Sequence, residues 1–392
     1  MSSPIFFDHQ AGSPLPAPVW AAMEPFLNDS ANPASLHRGG VRARQALAEA
    51  RERTARLIGA APEEIVFTSG GTESVNLALF GHARANRRSG KRGTHLVVAA
   101  TEHAAVLRSA ERLTEEGFTF STVPVDGMGR ITLEAVAAVV RPETSLVAIH
   151  WANHEVGTIA PVAELAAWCR QREIAFFSDA SAAAGTVAID LATVPVSLLA
   201  LSPHRFGGPK GAGVLYVRRG MALEPLLYGG GQEEGRRAGT ENLAAIVGAG
   251  VAAELLATER GERVERMGRV QRLLWQRIGE QVEAVSLHGP ELGPGLERTV
   301  DNLNFSAAGI EGEAQALLCD LRGLMVSSGA ACVSRDLRIS QVLRAMGVSP
   351  DLALSNLVAT LGPENTEEEA ERAAGIYAGV VRKLRAVTPG AR

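Results

Sequence analysis

The sequence predicts an α/β protein in which a large domain with a mostly parallel sheet is followed by a smaller α+β domain. Strand-like and helix-like segments alternate from about residue 41 to residue 217. The strand-like segments are nearly continuous apolar runs, which are typical of parallel strands buried on both faces. Further along the chain the pattern changes to shorter, mixed units. These observations indicate a sheet covered by helices and a second, smaller core.

The elements of the large domain follow one another in regular order. Residues 41–58 have a helical period, and Glu49 and Arg53 are spaced as an i,i+4 ion pair. We expect buried strands at residues 65–69, 95–100, 145–152, 174–180 and 196–202. We expect helices between them at residues 104–115, 132–140 and 161–172. Repeated strand–helix–strand order predicts a parallel sheet.

Two long helices are expected next, at residues 239–257 and 263–279. The second has an apolar face formed by Val264, Met267, Val270, Leu274 and Ile278. Shorter, mixed units follow, namely TVDNLNFS (299–306), a helix near 311–321, SSGAACVS (327–334) and a final helix near 366–386. We therefore predict a large domain of residues 15–255 and a small domain of residues 1–14 and 256–392.

Composition excludes several classes of protein. The chain has 392 residues, of which 46% are hydrophobic and 21% charged, and a formal net charge of -4. The chain has no excess of basic residues of the kind that would suggest binding to nucleic acid. It also has no apolar stretch that approaches the roughly 20 residues of a membrane span. The start, MSSPIFFDHQ, lacks the pattern of a signal peptide. Three cysteines (Cys169, Cys319 and Cys332) do not make a disulfide framework, so we expect a reducing, cytoplasmic setting.

Four polar clusters follow predicted strands, where open α/β sheets collect their ligands. The first, SGGTES (69–74), is a glycine turn that leads into a helix and offers backbone N–H groups to a phosphate. The others contain His103 in TEHAAVL, Asp179 in SDASAAAG, and Ser202 with His204 in SPHR. Each has a simpler interpretation as a helix cap, a structural histidine or a paired carboxylate. Together they predict a site for a phosphate-bearing cofactor.

Longer motifs make the chain resemble the cysteine desulfurases, class V aminotransferases of the pyridoxal phosphate (PLP) fold type I. The resemblance covers nearly the whole length. Its motifs are NPASLH (32–37), EEIVFTSGGTESVNLAL (63–79), ATEHAAVL (100–107), SPHRFGGPKGAGVLYVRR (202–219), GGGQEEGRRAGTEN (229–242) and SSGAACVS (327–334). It implies a large domain with a seven-stranded sheet and a homodimer whose active sites lie at the subunit interface.

The resemblance also implies roles for single residues. Gly71, Thr72, Ser202 and His204 match the family's phosphate contacts, and Thr240 matches a phosphate contact supplied by the neighbouring subunit. Three further matches concern the ring and the sulfur. His103 matches the imidazole that stacks on the PLP ring, Asp179 matches the carboxylate on the pyridinium nitrogen, and Cys332 matches the loop nucleophile that holds sulfur as a persulfide.

The resemblance breaks at the lysine that forms the Schiff base, because Arg205 follows the histidine of Ser-Pro-His. An arginine keeps its proton and does not form that imine. Lys210, in the GPKG turn, matches a different family lysine. We expect Arg205 to serve only as a cation that balances Asp179 or a bound anion.

Other family positions have changed as well. His154 replaces an asparagine in NHEVG, Ala182 replaces the glutamine that contacts the phenolic oxygen, and Val358 replaces the arginine that binds the substrate carboxylate. Ala11-Gly12-Ser13 replaces Ala-Thr-Thr. Losing the covalent handle and the carboxylate clamp together predicts loss of ordinary PLP-dependent cleavage of free L-cysteine.

Three hypotheses follow. The first is a desulfurase-like protein that acts in sulfur transfer or iron–sulfur assembly through Cys332, as an acceptor, scaffold or partner. The second keeps PLP, or its amine form, without a covalent link and uses His154 as a new acid or base. The third is a metal or iron–sulfur cluster site built from His103, His154, Asp179 and Cys332. A purely structural role would leave the retention of Cys332 unexplained.

Overall fold

The computed structural model describes residues 3–90, 93–293, 295, 297–329 and 339–387. Its strands are β1 (Ile5–Phe6), β2 (Ile65–Thr68), β3 (His95–Ala99), β4 (Thr119–Val123), β5 (Thr144–Ala148), β6 (Ala175–Asp179), β7 (Leu198–Leu201), β8 (Gly213–Val217), β9 (Val285–Leu287), β10 (Asn302–Ala307), β11 (Leu324–Met325) and β12 (Asn356–Thr360). Its helices are α1 (Ala17–Leu27), α2 (Arg38–Leu57), α3 (Gly71–Ser89), α4 (Ala104–Thr114), α5 (Leu133–Val139), α6 (Val162–Gln171), α7 (Leu243–Gln281), α8 (Gly312–Asp320), α9 (Gln341–Ala345), α10 (Pro350–Leu354) and α11 (Glu367–Val387).

The central sheet has seven strands in the order β2-β8-β7-β6-β5-β3-β4. Only β8 runs against its neighbours, β2 and β7, so the other six strands point the same way. The predicted α/β fold with a mostly parallel sheet is therefore confirmed. Because β2, β3, β6 and β7 share one direction, their carboxyl ends meet at one edge, where the four polar clusters begin.

Both faces of the sheet are buried. Alternate residues of a strand point to opposite faces, and Phe67, Val97 and Phe176 pack in one core while their neighbours Val66, Leu96 and Phe177 pack in another. This alternation explains why the strands are continuous apolar runs in the sequence.

The small core lies around an antiparallel sheet in the order β12-β10-β9. Phe305 on β10 contacts Tyr377 of α11 edge to face, with ring centroids 5.2 Å apart. Strand β1 pairs with β11, which brings Ile5 and Phe7 from the start of the chain into the same core.

The two long helices predicted at 239–257 and 263–279 are one helix, α7, of 39 residues. The prediction was wrong at the junction, where the sequence has a charged stretch with Gly261. A single glycine costs a helix only about 1 kcal/mol, and an i,i+4 ion pair of 2.7 Å between Arg263 and Glu259 spans the junction. Leu256 packs in the large core and Met267 in the small one, so α7 contributes to both.

Strand β5 is shorter than the predicted segment 145–152. After Ala148 the N–H groups of Ile149 and Trp151 still donate to β6 carbonyls, at 3.1 and 2.9 Å. The N–H of His150 between them donates to the Glu102 side chain at 2.6 Å. None of the helices in the described ranges is both long and apolar enough to cross a membrane.

Candidate functional site

One end of the candidate site lies where β2 leads into α3. A Cβ on Gly71, the first residue of that helix, would overlap the hydroxyl of Ser202. Ser202 is buried, and its Oγ lies 3.0 Å from the Oγ of Ser181. The free N–H groups of a helix N-terminus and two adjacent hydroxyls form a site that suits an anion. We call Gly71, Thr72, Ser181 and Ser202 the anion cup.

Ser181 is a member of the anion cup that the sequence analysis did not single out. Its backbone N–H donates to Asp179 Oδ1 at 2.9 Å, so Asp179 and Ser181 form one turn at the end of β6. The spacing Asp-Ala-Ser is a signal for such a turn. The turn fixes the Asp179 carboxylate beside the cup.

His103 caps the N-terminus of α4. Its Nδ1 accepts the N–H of Ala105 at 3.1 Å. Burial lowers the pKa of His103 from its usual value, and the charge of Asp179 opposes this shift without cancelling it. A neutral ring whose Nδ1 is an acceptor carries its proton on Nε2. His103 therefore offers an N–H donor to the site.

His154 contacts His103 edge to face, with ring centroids 5.1 Å apart and an angle of 75° between the planes. Burial places the pKa of His154 well below its usual value, and the charges of His103 and Arg205 lower it further. The structure thus brings together two predicted residues, both neutral at physiological pH. The lowered pKa makes His154 a weak base, and its role as an acid or base stays a prediction.

Arg205 ends the short 3-10 turn Pro203–Arg205 that follows β7. Burial, helped by the charges of Arg205 and Lys210, lowers the pKa of His204 to about 4. Arg205 also faces two carboxyl groups. Burial raises the pKa of both Asp8 and Asp301, and the positive charge of Arg205 opposes the shift in each.

Lys210 lies on the other side of the turn. It is exposed, and a Cβ on Gly12 would lie 3.1 Å from its Cε and 4.0 Å from the His204 ring. Arg205, by contrast, lines a cavity with Gln10, His154 and Asp301. Arg205 therefore lies at the cavity beside His154, whereas Lys210 lies at the exposed side of the turn.

Glu155, next to His154, is a buried carboxyl group that sequence reasoning missed. It accepts a hydrogen bond from the Ser340 hydroxyl, and burial raises its pKa to about 7. A Cβ on Gly329 would lie 3.5 Å from Glu155 Oε2 and 3.5 Å from Val358 Cγ2. Cys332 lies outside the described residues. The described chain on either side, at Gly329 and Ser340, lies beside Glu155.

Val358 is buried in β12 and pairs with Asn304 of β10. Its isopropyl group has no polar atom with which to bind a carboxylate. Ala182 lines the same cavity as Arg205 and likewise brings no donor. Both side chains are as inert as the sequence analysis expected.

Thr240 is exposed in the segment between β8 and α7. That segment is fixed to the sheet by Glu233, whose buried carboxylate accepts two hydrogen bonds from Arg51 at 2.7 and 2.8 Å and one from the Phe67 N–H at 2.9 Å. Glu233 and Glu234 are both left-handed, with φ of 50° and 57°. Charge-assisted bidentate bonds of this kind hold a strained loop in place.

A carboxylate–imidazole pair lies beneath the two site histidines. Glu102 Oε1 accepts from His150 Nδ1 at 2.9 Å, and both side chains are buried. The pair lies close enough to affect the site electrostatically: Glu102 opposes the lowering of the His103 pKa by burial, and His150 adds to the lowering of the His154 pKa. The adjacent Glu-His in TEH was visible in the sequence, but its distant partner was not.

Within the described ranges, no three His, Cys, Asp or Glu side chains are grouped so that they could hold a metal ion. His103, His154 and Asp179 alone therefore do not form the predicted metal site. Its fourth proposed ligand, Cys332, lies outside those ranges.

A phosphate-type cup beside a carboxylate, at the carboxyl edge of a mostly parallel sheet, defines a cofactor-dependent α/β enzyme fold. Residues 5–372 match the Aminotransferase class-V family, and the chain belongs to the cysteine desulfurase group of that family. The cysteine desulfurase IscS of Dictyoglomus turgidum is 39% identical over 390 residues, covering 99% of this chain and 97% of the relative. The corresponding protein of Anaeromyxobacter dehalogenans is 41% identical over 394 residues, covering 99% and 95%.

A solved structure described as a NifS-like protein is similar throughout, with a TM-score of 0.89 and 32% identity. It covers 97% of this chain and 100% of its own. The resemblance to the cysteine desulfurases, and the PLP fold type I that it implied, are thereby confirmed.

Family membership implies PLP, and the described residues fit part of that cofactor. Because residue 71 is a glycine, the Ser202 hydroxyl can lie against the first turn of α3, where the N–H groups suit an anion, and Asp179 suits a ring nitrogen. At the position that the resemblance assigns to the Schiff-base lysine, the chain has Arg205.

Proposed function

We propose that this protein is a cysteine desulfurase homologue that has lost standard Schiff-base desulfurase activity. It acts in sulfur transfer or iron–sulfur assembly, with Cys332 as the sulfur acceptor. The observation that carries the proposal is the arginine at position 205 in a site whose anion cup is intact. Its relatives are named cysteine desulfurases, which supports a role in sulfur chemistry at the level of the family.

The substrate side of the site supports the loss of activity. Free cysteine would need an amine at residue 205 to exchange with and a cation to bind its carboxylate. Arg205 does not supply the first, and Val358, which is buried and apolar, does not supply the second. The first loss affects the amino group of free cysteine, and the second affects its carboxylate.

The neighbourhood of residues 330–338 supports a role for Cys332. The described residues on either side, Gly329 and Ser340, lie beside Glu155, next to His154. In the proposed step, the Cys332 thiolate attacks the outer sulfur of a donor persulfide. A new S–S bond forms at Cys332, the donor's S–S bond breaks and the donor leaves as a thiolate, so no external oxidant is needed.

The first experiment separates acceptance of sulfur from its release from cysteine. The purified protein is incubated with PLP, L-cysteine and a thiol reductant, and sulfide is measured. In parallel it is incubated with glutathione persulfide, and the gain of one sulfur is located by peptide mass spectrometry. We expect background sulfide in the first assay and one added sulfur on Cys332 in the second.

Two variants serve as matched controls. Cys332→Ser should lose the added sulfur, whereas Cys169→Ser should keep it, because burial raises the pKa of the Cys169 thiol to about 12. Sustained sulfide release from L-cysteine, or labelling that does not depend on Cys332, would refute the proposal.

A second function is favoured by the anion cup itself. Gly71 is in contact with Ser202, whose Oγ lies 3.0 Å from that of Ser181, so two hydroxyls lie beside the N-terminus of α3, as an anion site requires. The protein would then bind PLP or a related phosphate ester without a covalent bond, as a sensor or as an enzyme for another substrate. Gly71, Thr72, Ser202 and His204 would hold the phosphate, Asp179 the ring nitrogen and His103 the ring. Bound PLP supplies an electron sink.

The partners of this protein are proposed on the same grounds. We infer a cytoplasmic homodimer in which Thr240, exposed in one subunit, reaches the anion cup of the other. A sulfur donor or an iron–sulfur scaffold protein would bind where Cys332 is accessible. Light scattering on the eluted protein gives the oligomeric state, and a mass of one chain would contradict the dimer.

A further inference from the structure

Glu155 is a buried carboxyl group that pairs with an imidazole instead of a permanent cation. Its one ion-pair partner among the described residues is His154, whose Nε2 lies 3.7 Å from Glu155 Oε1. A buried carboxylate without a paired cation is costly, so the carboxyl group binds its proton more tightly than usual. Burial raises the pKa of Glu155 to about 7, and both of its forms are therefore present at neutral pH.

The two oxygens of Glu155 face different groups. Oε2 accepts the hydroxyl proton of Ser340, which caps α9 by accepting the N–H of Leu343 at 3.1 Å. Because that contact occupies Oε2, Oε1 is left for His154. The separation of 3.7 Å exceeds a hydrogen bond of about 3 Å, and a small rotation of either side chain, or one water between them, closes it.

His154 by itself is a poor place to hold a positive charge. Burial disfavours its imidazolium form, and so do the charges of His103, His150 and Arg205, which face it from the segments after β3, β5 and β7. If Nδ1 takes a proton from a bound group, the charge is removed once Nε2 passes its own proton to Glu155. That transfer turns a buried carboxylate into a neutral acid, so neither residue is left charged.

We propose that His154 and Glu155 share one proton and serve the cavity that His154 lines as a single acid–base group. His154 relays the proton, and Glu155 holds it. One proton moves from the bound group to His154 Nδ1 and another from Nε2 to Glu155 Oε1, with no oxidation or reduction. The pair suits a ligand group that loses a proton, such as a thiol or an ammonium group. It requires neither sulfur transfer nor bound PLP.

The ring tautomer of His154 tests this proposal directly. A neutral Glu155 donates its proton to Nε2, which leaves the ring proton on Nδ1, whereas an ionised Glu155 accepts from a protonated Nε2. The full chain, with isotope-labelled histidine, is followed by nitrogen NMR from about pH 5.5 to 8.5. We expect His154 to stay neutral while its ring proton moves from Nδ1 to Nε2, with a midpoint at about 7. His154→Asn assigns the signals.

The protein contains its own control. His103 Nδ1 accepts the Ala105 N–H, so the ring proton of His103 should stay on Nε2 throughout. Glu155→Gln should abolish the tautomer change of His154 and the infrared carbonyl band of a protonated carboxylic acid that falls with the same midpoint. Ser340→Ala removes a donor that favours the ionised form, so the midpoint should rise by about one pH unit. A melting temperature for each variant shows that it is folded.

Three outcomes would overturn the proposal. An imidazolium signal from His154 below pH 7 would show that this ring holds the proton itself. A tautomer that does not change in the wild type, or a change that persists in Glu155→Gln, would show that the two residues do not share a proton. None of these results bears on sulfur acceptance by Cys332 or on the binding of PLP, which the preceding experiments test separately.

Discussion

The two ends of the site are built from different kinds of groups. At the anion cup, the donors are backbone N–H groups at the start of α3 and the hydroxyls of Ser181 and Ser202, which the fold holds in contact. At the other end, the chemistry depends on single side chains such as Arg205 and Val358. The backbone donors survive as long as the fold does, whereas a contribution from a side chain, including these two hydroxyls, changes with one substitution. The fold can therefore outlast the reaction.

The largest effect is expected from a substitution that adds a side-chain atom in the anion cup. Gly71→Ala places a Cβ on the Ser202 hydroxyl and should weaken binding of PLP about 100-fold by fluorescence titration, which corresponds to the cost of an overpacked contact. Gly70→Ala is the matched control, because no atom lies within 4 Å of its Cβ and its φ of 164° is extended. Equal losses in the two variants would argue against the cup.

Glu155 is buried at the side-chain end of the site, and its raised pKa can be tested through the pH dependence of protein stability. Its pKa is raised to about 7 in the fold from 4.5, so the folded state is stabilised below pH 4.5 relative to higher pH and loses that stability as pH rises to about 7. Glu155→Gln removes this dependence. In denaturant titrations, the free energy of unfolding of the variant, relative to that of the wild type, should rise by about 3 kcal/mol between pH 4.5 and 7.5. A difference that stays constant with pH would contradict the raised pKa.

His204 provides a smaller effect of opposite sign. Its pKa falls from 6.5 to about 4 on folding, so the stability that it contributes is present above pH 6.5 and is lost as pH falls toward 4. His204→Asn should therefore lose less stability than the wild type between pH 6.5 and 4.5, by about 1–2 kcal/mol after allowing for partial exposure. Parallel curves for the two proteins would show that His204 is not shifted.

Lys210 should have the smallest effect. It is exposed, and its side chain runs past Gly12 and not along the cavity that Arg205 lines. Lys210→Gln should change PLP affinity by no more than about twofold, as expected for an exposed charge. A tenfold loss would place Lys210 in the site and blur the distinction between the two cations.

The same contrast explains what the sequence could predict. The parallel sheet follows from apolar runs, and the anion cup follows from a glycine turn before a helix, because both depend on local chemistry. The Glu102–His150 pair and the bond between Glu155 and Ser340 join residues 48 and 185 positions apart, so no local pattern indicates them.

Errors in the predicted elements had physical causes as well. Helix α7 was predicted as two helices, 239–257 and 263–279, but it is continuous and packs on both cores. Strand β5 was extended to residue 152 because Ile149 and Trp151 are buried in the core, although the strand itself ends at Ala148. Burial sets an apolar pattern even where secondary structure stops.

The central claim is that Arg205 does not form a Schiff base with PLP, although the anion cup is retained. The most direct measurement is an absorbance spectrum after incubation with PLP and desalting, followed by borohydride reduction and peptide mass spectrometry, with Arg205→Lys as the positive control. We predict that the wild type shows no imine band at about 410 to 430 nm and no reduced adduct, and that the variant shows both. A wild-type band that changes with L-cysteine, with an adduct on Lys210, would contradict the account.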